Sequence, residues 1–450
     1  MNTEFEKIDR RTFLQSATAL GAAGTVLPLA GLSAGSALAQ TDQKIVFATW
    51  SAAVDQVKSH ISAFEASTKI SVAYENAPGA QFRQFLTTKF VGKAPLDVMW
   101  LSDAWLPEFA DAGWLAPIDK YPALTKYNAD LQKYCVDSMT YKGRQYGSVY
   151  YTDFMAFLYN EEILEKAGIS RPPTTWDEVV EQSIKIKQKN LVEHPMLLSL
   201  EADATWFIEF VSTLVFSFGG KLVGPDGKSV MQDPKGGAAA AMKWVQDAIQ
   251  KHKIVSPAAL STPEINGLKA FGAGQHAFGI IPRYRIRPLN NPAESKVAGK
   301  VRMALMPKGG PDGTHATCGW VRFYGMSASA QANAARLANS LKLIEWFGGR
   351  ALGEYKFQKM ILLDIGLPYC TKPLDSDPDV VKFYKTYLGG SDIVHKQAAL
   401  TQKKDVISPW FGEWNENNIR AWQKGFMNQA PITTVLAQSG KEWDTLSARK

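Results

Sequence analysis

Residues 149–159 restrict the fold of this chain more than any other stretch. Their order, VYYTDFMAFLY, is aromatic and apolar almost throughout and predicts a strand covered on both faces. Just after it, Asn160 is placed to cap a short helix whose inner face is Ile163, Leu164 and Ala167, and Gly168 to stop that helix. Pro172 and Pro173 exclude helix at that point, and Thr175 opens the next one, with Glu178 three residues on as its capping-box partner. Asp153 is out of keeping with its surroundings. A carboxylate inside an apolar strand is costly unless something polar meets it.

Upstream, two periods alternate. Residues 44–50 predict a strand, and Val54, Val57, Ile61 and Phe64 then share one helical face. Ile70, Val72 and Tyr74 alternate as a strand, and Phe82, Phe85, Leu86 and Phe90 mark a second amphipathic helix. Residues 96–101 form a continuous apolar run, as a parallel strand buried on both sides requires, and 104–112 predict a helix ended by Gly113. Strand and helix alternating in this way predict a doubly wound α/β unit, whose ligands bind beyond the carboxyl ends of the strands. Trp50, Ser51, Ser102, Asp103 and Trp105 fall at or just past such ends, whereas Trp100 lies within a strand and reads as core. Further on, Trp206 stands at a helix start, and residues 300–307 predict a strand returning to the first α/β unit.

A chain of 450 residues with 46% hydrophobic content can build two domains with real cores. The formal net charge is +7, but there is no dense Lys/Arg run, so no nucleic-acid partner is expected and the charge reads as solvated surface. Residues 1–39 read as an export signal: an Ala/Gly/Leu run from Ala17 carries Pro28 and ends in the small-residue site Ala37-Leu38-Ala39, which makes Gln40 the expected mature N-terminus. Within it, Arg10-Arg11-Thr12-Phe13-Leu14 resembles the twin-arginine motif. Cys135, Cys318 and Cys370 show no metal spacing, nor do the six histidines, so no metal or other cofactor is expected. An oxidising compartment permits one disulfide among the three cysteines without saying which. His-Glu-x-x-His, Cys-x-x-Cys and Gly-x-Gly-x-x-Gly are absent, and no catalytic residue is assigned. Acidic residues are plentiful, which leaves a secreted glycosidase as the enzymatic alternative. The 13 Trp, 15 Tyr and 22 Phe offer flat apolar faces suited to covering a sugar ring.

The stretch YYTDFMAFLYNEEILEKAGISRPPTTWDEV resembles the hinge strand and following signature of the extracellular solute-binding proteins of ABC importers, within them the sugar-binding group that includes maltose-binding protein. DVMWLSDAWLPEFADAGWLAPI, INGLKAFGAGQHAFGIIPRYRIRPL, THATCGWVRFYGMSASAQ and SPWFGEWNENNIRAWQKGF are similar to further segments of the same family. The resemblance implies a periplasmic binding protein-like fold of two doubly wound α/β lobes, joined by a multi-strand hinge with a ligand cleft between them. Lobe 1 would be residues 40–150 plus 305–366, and lobe 2 residues 151–304 plus 367–450 with a helical C-terminus. It also implies a periplasmic, monomeric substrate-binding component that closes on a sugar, polyol or related solute and delivers it, unaltered, to a membrane permease. Trp50, Ser51, Asp103 and Trp105 would then come from lobe 1, Trp206, Arg283 and Tyr284 from lobe 2, and Tyr151, Asp153, Gly319, Trp320 and Arg322 from the crossings. Trp410 and Trp414 compete for a late stacking role, and Trp422 reads as core. Arg283, Arg285 and Arg287 together favour an acidic ligand or else form a solvated basic strand, and Tyr150-Tyr151 keeps open a cationic solute such as a polyamine or iron.

Overall fold

The computed structural model describes residues 44–202, 204–234 and 236–449, without the side chains of Ala80 and residues 204–206. The expected export signal and its cleavage point lie outside the described residues. The alternating N-terminal pattern gives the parallel strands β1 (Ile45–Trp50), β2 (Val72–Ala77) and β3 (Val98–Ser102), with helices Val54–Thr68 and Gly79–Val91 between them. A 3-10 turn, Asp103–Trp105, leads from β3 into helix Leu106–Asp111, and Gly113 follows at φ 70°. After the short strands β4 (Leu115–Ala116), β5 (Thr140–Tyr141) and β6 (Arg144–Gln145) comes β7 (Gly147–Asn160), buried along its length except at Tyr159. The remaining strands are β8 (Met196–Leu197), β9 (Phe278–Pro282), β10 (Val301–Ala304), β11 (Thr317–Ser327) and β12 (Thr401–Lys403).

One sheet runs in the order β2-β1-β3-β11-β7-β9-β8, with β4 and β12 paired to β11 and β10 to β7. β11 is antiparallel to both β3 and β7. Arg322 faces Tyr151 but Phe323 faces Val149, so Tyr150 is an extra residue and the ladder bulges there. β7 borders three large apolar interiors, one of them built by Phe154, Ala156 and Leu158 with Phe271, Ile281 and Tyr384, and β11 borders the other two. Val149, Tyr150, Tyr151, Val321 and Phe323 pack with Phe47, Leu101 and Phe347, whereas Met155, Phe157 and Trp320 pack with Trp176, Phe278 and Trp443.

The local punctuation works mostly as the sequence predicts. Asn160 Oδ1 accepts the amides of Glu162 and Ile163 at the start of helix Glu161–Ala167, which Gly168 ends at φ 68°. Thr175 Oγ1 accepts the Glu178 amide at 3.1 Å, but the Glu178 carboxylate accepts from the Thr174 amide at 2.7 Å and is gripped by Arg171, so only half of the capping box forms. The strand expected to return to the first α/β unit is β10, which pairs instead with the far end of β7, Val301 opposite Asn160. The chain then turns helical, through Pro378–Leu388, Asp392–Ala399, Phe411–Phe426 and Ile432–Ser447. Among the described residues no helix is long and apolar enough to cross a membrane, and no group of three or more His, Cys, Asp or Glu is placed to hold a metal ion. The three cysteines are buried thiols.

Candidate functional site

Asp103 leads the turn after β3 because Ser102 Oγ and Asp103 Oδ1 both take the Ala104 amide, which turns the strand end into the 3-10 turn. Its carboxylate is fully buried. Oδ1 accepts from Arg322 Nη1 at 2.9 Å and Lys404 Nζ at 3.4 Å, and Oδ2 from the Val321 amide at 3.3 Å. Lys404 Nζ also meets Glu209 Oε1 at 2.8 Å, and Arg322 Nη2 lies 3.9 Å from the same oxygen. Burial works against the Lys404 ammonium, yet the Asp103 and Glu209 carboxylates hold its pKa above the ordinary lysine value. Burial pushes the Glu209 carboxyl up, and Lys404 and Arg322 pull it back.

A second buried pair joins β7 to the turn after β9. Asp153 accepts from Arg283 Nε at 3.1 Å and from the amides of Phe154 and Tyr284 at 2.9 and 3.1 Å. Burial pushes its pKa up to about 6 against those three donors. Arg283 also donates to the Thr152 carbonyl at 3.1 Å and lies over the Phe154 ring at 4.4 Å. The polar company that Asp153 needs inside its strand is therefore present. Arg285 is held by Glu264 at 2.7 Å and covers the ring of half-buried Tyr284 at 4.5 Å.

Aromatic rings gather beside the first pair, the Arg322 guanidinium lying 6.0 Å from the centre of the Trp100 ring. Half-buried Trp50 lies between Trp100, 5.1 Å away at 8°, and Tyr151, 6.0 Å away at 15°. Trp105, also half-buried, meets Trp100 edge-on at 5.3 Å. Burial raises the pKa of the Tyr151 hydroxyl, against the pull of the Arg322 charge. Trp100 is buried, as its place within a strand predicts, and packs edge-on against Phe82 at 5.2 Å.

The other expected residues stand apart. Ser51 is exposed and donates to Asn76 Oδ1 at 2.8 Å. Gly319 is a packing position, since a Cβ there would stand 2.4 Å from Thr401 Cγ2. Trp320 is fully buried among the apolar groups of the second interior. Trp414 is buried too, its indole donating to the Ser439 carbonyl at 2.9 Å and its ring edge-on to Trp443, while half-buried Trp410 packs on Trp443 at 5.6 Å. The Trp206 side chain lies outside the described residues. Glu209 and Lys404 belong to the site without having been expected. Glu209 carried a usable signal: it is the one charged residue in the helix Ala204–Ser217. Lys404, within QKKD, carried none.

A cavity of about 550 Å³ lies elsewhere, lined by Leu191, Met196, Leu197, Val255, Ala259 and Gly267 among others. None of the expected residues reaches it, and its lining includes no Trp, Tyr or Phe. The paired charges and stacked rings at the strand ends are the better candidate, because they combine hydrogen-bonding groups with flat apolar surface.

The family described as bacterial extracellular solute-binding protein matches residues 41–351. The diacetylchitobiose binding protein DasA of Streptomyces coelicolor is 33% identical over 181 residues, 39% of this chain and 40% of that protein. The chain spans less than half the length of the curated relatives it matches. Among solved structures, maltose-bound MalE3 of T. maritima superposes with a TM-score of 0.75 at 22% identity, covering 90% of this chain and 99% of that one. An ABC transporter solute-binding protein of Agrobacterium vitis with bound D-mannitol gives 0.70 at 21% identity, covering 90% and 98%. With its family match over residues 41–351 of 450 and a fold shared almost end to end with MalE3, the protein belongs to the bacterial extracellular solute-binding protein family.

Proposed function

We propose that the chain is the exported binding component of an ABC importer, which closes two lobes on a sugar or polyol and carries it unaltered to a membrane permease. The observation that carries this reading is the ring stack Trp100–Trp50–Tyr151 set beside the buried pairs Asp103–Arg322 and Asp153–Arg283. Rings cover the C–H faces of a sugar, and ionised groups bond its hydroxyls, each such bond contributing roughly 1.5–3 kcal/mol. The names of the relatives, which bind diacetylchitobiose, maltose and mannitol, point to the same ligand class.

Two apolar interiors joined by β7 and β11 support a two-lobed reading, with residues 40–150 plus 305–366 as one lobe and 151–304 plus 367–450 as the other. Ligand then favours the closed form because only there do both lobes touch it. Trp50, Trp105 and Tyr284 are half-buried and supply the ring faces, while Asp103, Asp153, Arg283 and Arg322 supply the polar contacts. Residues 1–39 act as a cleaved twin-arginine-type signal, the mature chain works in the periplasm as a monomer without nucleic acid, and it performs no catalysis. The test is calorimetry of the mature chain against maltose, glucose, mannitol, ribitol and spermidine. Heat of binding is expected with a neutral sugar or polyol, and Trp50→Ala is expected to weaken it by about tenfold or more. Binding of spermidine alone, or release of a cleavage product, would overturn the proposal.

A further inference from the structure

The charges at the site cancel. Asp103 and Glu209 face Arg322 and Lys404 in a closed group whose side chains are at most 6% exposed. Asp153 is matched by Arg283 and Glu264 by Arg285. Asp405, next to Lys404, turns the other way and accepts the amides of Leu222 and Val223. The arginine-rich stretch that suggested an acidic ligand therefore has two of its three guanidinium groups already taken by carboxylates. Within the quartet both Asp103 oxygens accept hydrogen bonds, whereas Glu209 Oε2 is buried and finds no donor among the described residues. A buried carboxylate oxygen left in that condition calls for a donor.

Resting on the binding reading above, we infer that this site selects by charge: it takes an uncharged polyhydroxylated solute, rejects the corresponding acid or amine, and uses Glu209 Oε2 to accept a hydroxyl hydrogen from it. A ligand carboxylate or ammonium would enter a network in which each opposite charge is already paired, and would remain uncompensated in a water-poor place. A hydroxyl brings a donor and no net charge. Specificity of this kind is a penalty on the wrong ligand as much as an attraction to the right one.

The experiment uses the mature chain and ligand sets that differ mainly in charge: glucose, glucuronate and glucosamine; glucitol, gluconate and glucamine; maltose and maltobionate. Binding is measured by calorimetry for the wild type, Glu209→Gln and Glu209→Asp, with melting temperatures as a check on folding. The neutral member of a set is expected to bind at least about tenfold tighter than its charged analogues. Glu209→Gln, which leaves the network net positive, is expected to weaken the neutral ligand by about tenfold and to narrow the gap to the acid. If Glu209→Gln does not fold, Glu209→Asp keeps the charge but shortens the reach, and is expected to weaken the neutral ligand without changing the charge preference. An acid or amine that binds the wild type as tightly as its neutral counterpart overturns the inference and leaves the solute-binding reading standing. The same holds if the preference is neutral but neither Glu209 variant alters affinity. A wild type that binds no member of any set overturns the binding reading, and this inference falls with it.

Discussion

His60 and Asp153 show how burial sets opposite acid responses in two single residues. His60 donates from Nε2 to the Trp346 carbonyl at 3.1 Å and receives the Trp346 indole on its own carbonyl, and burial lowers its pKa from 6.5 to about 4. The native state holds that proton less readily than the unfolded chain, so His60 contributes fully above pH about 6.5 and its contribution drains as the pH falls through about 4. In Asp153 burial raises the pKa from 3.8 to about 6, so the native state holds the proton more readily, and stability from this group is lost as the pH rises from about 4 through 6. Urea midpoints measured across pH 4–7 should show the acid limb flattened in His60→Gln, and the opposing slope removed in Asp153→Asn. Cutting the buried pair with Arg283→Met leaves Asp153 alone and should cost about 3–5 kcal/mol by urea titration, whereas Lys133→Met, at an exposed pair with Asp137, should leave the midpoint unchanged. At this scale the sequence was legible wherever a residue contradicts its surroundings. Asp153 in an aromatic strand demanded a partner, although only the fold could say that Arg283 supplies it. Lys404 contradicts nothing around it, and its burial follows from where β12 happens to lie.

The elements themselves were legible, because periodicity and capping are local. Asn160→Ala removes the acceptor for two helix amides and should destabilise by about 1 kcal/mol in a denaturant titration. Which strand an element pairs with is not local, and β10 shows it: the apolar run was recognisable, but its partner was the far end of β7. Gly319 teaches the same lesson. Its family position put it among the ligand-binding residues of a crossing, yet in β11 it packs where the chain passes Thr401 and Tyr134. Gly319→Ala should cost about 1–3 kcal/mol by overpacking. Thr401→Ser removes the offending methyl while keeping the hydroxyl bond to the Gln397 carbonyl, and should restore much of that loss in the double variant's melting temperature.

For the molecule as a whole, the decisive quantity is what ligand adds. A solute that binds only the native state at about a hundred times its Kd adds about 2.7 kcal/mol of stability, which thermal melting in its presence should register as a rise of several degrees. Small-angle scattering should record a smaller radius of gyration at the same point if the lobes close. The α/β layering and the apolar interiors around β7 follow from patterns that the sequence displays, since a strand as continuously apolar as β7 must be covered on both faces. The closed network of charges does not, because its four members are separated by as many as 301 residues in the chain. The surplus residue in the ladder between β7 and β11 matters at this largest scale. Neighbouring residues on an unbroken strand look to opposite faces, yet the rings of Tyr150 and Tyr151 meet at 5.2 Å. Deleting Tyr150 would put the ribbon back in step with Val149 still opposite Phe323 and Tyr151 still opposite Arg322, so both strands would keep their faces and lose only the extra ring and the local twist that the surplus residue imposes.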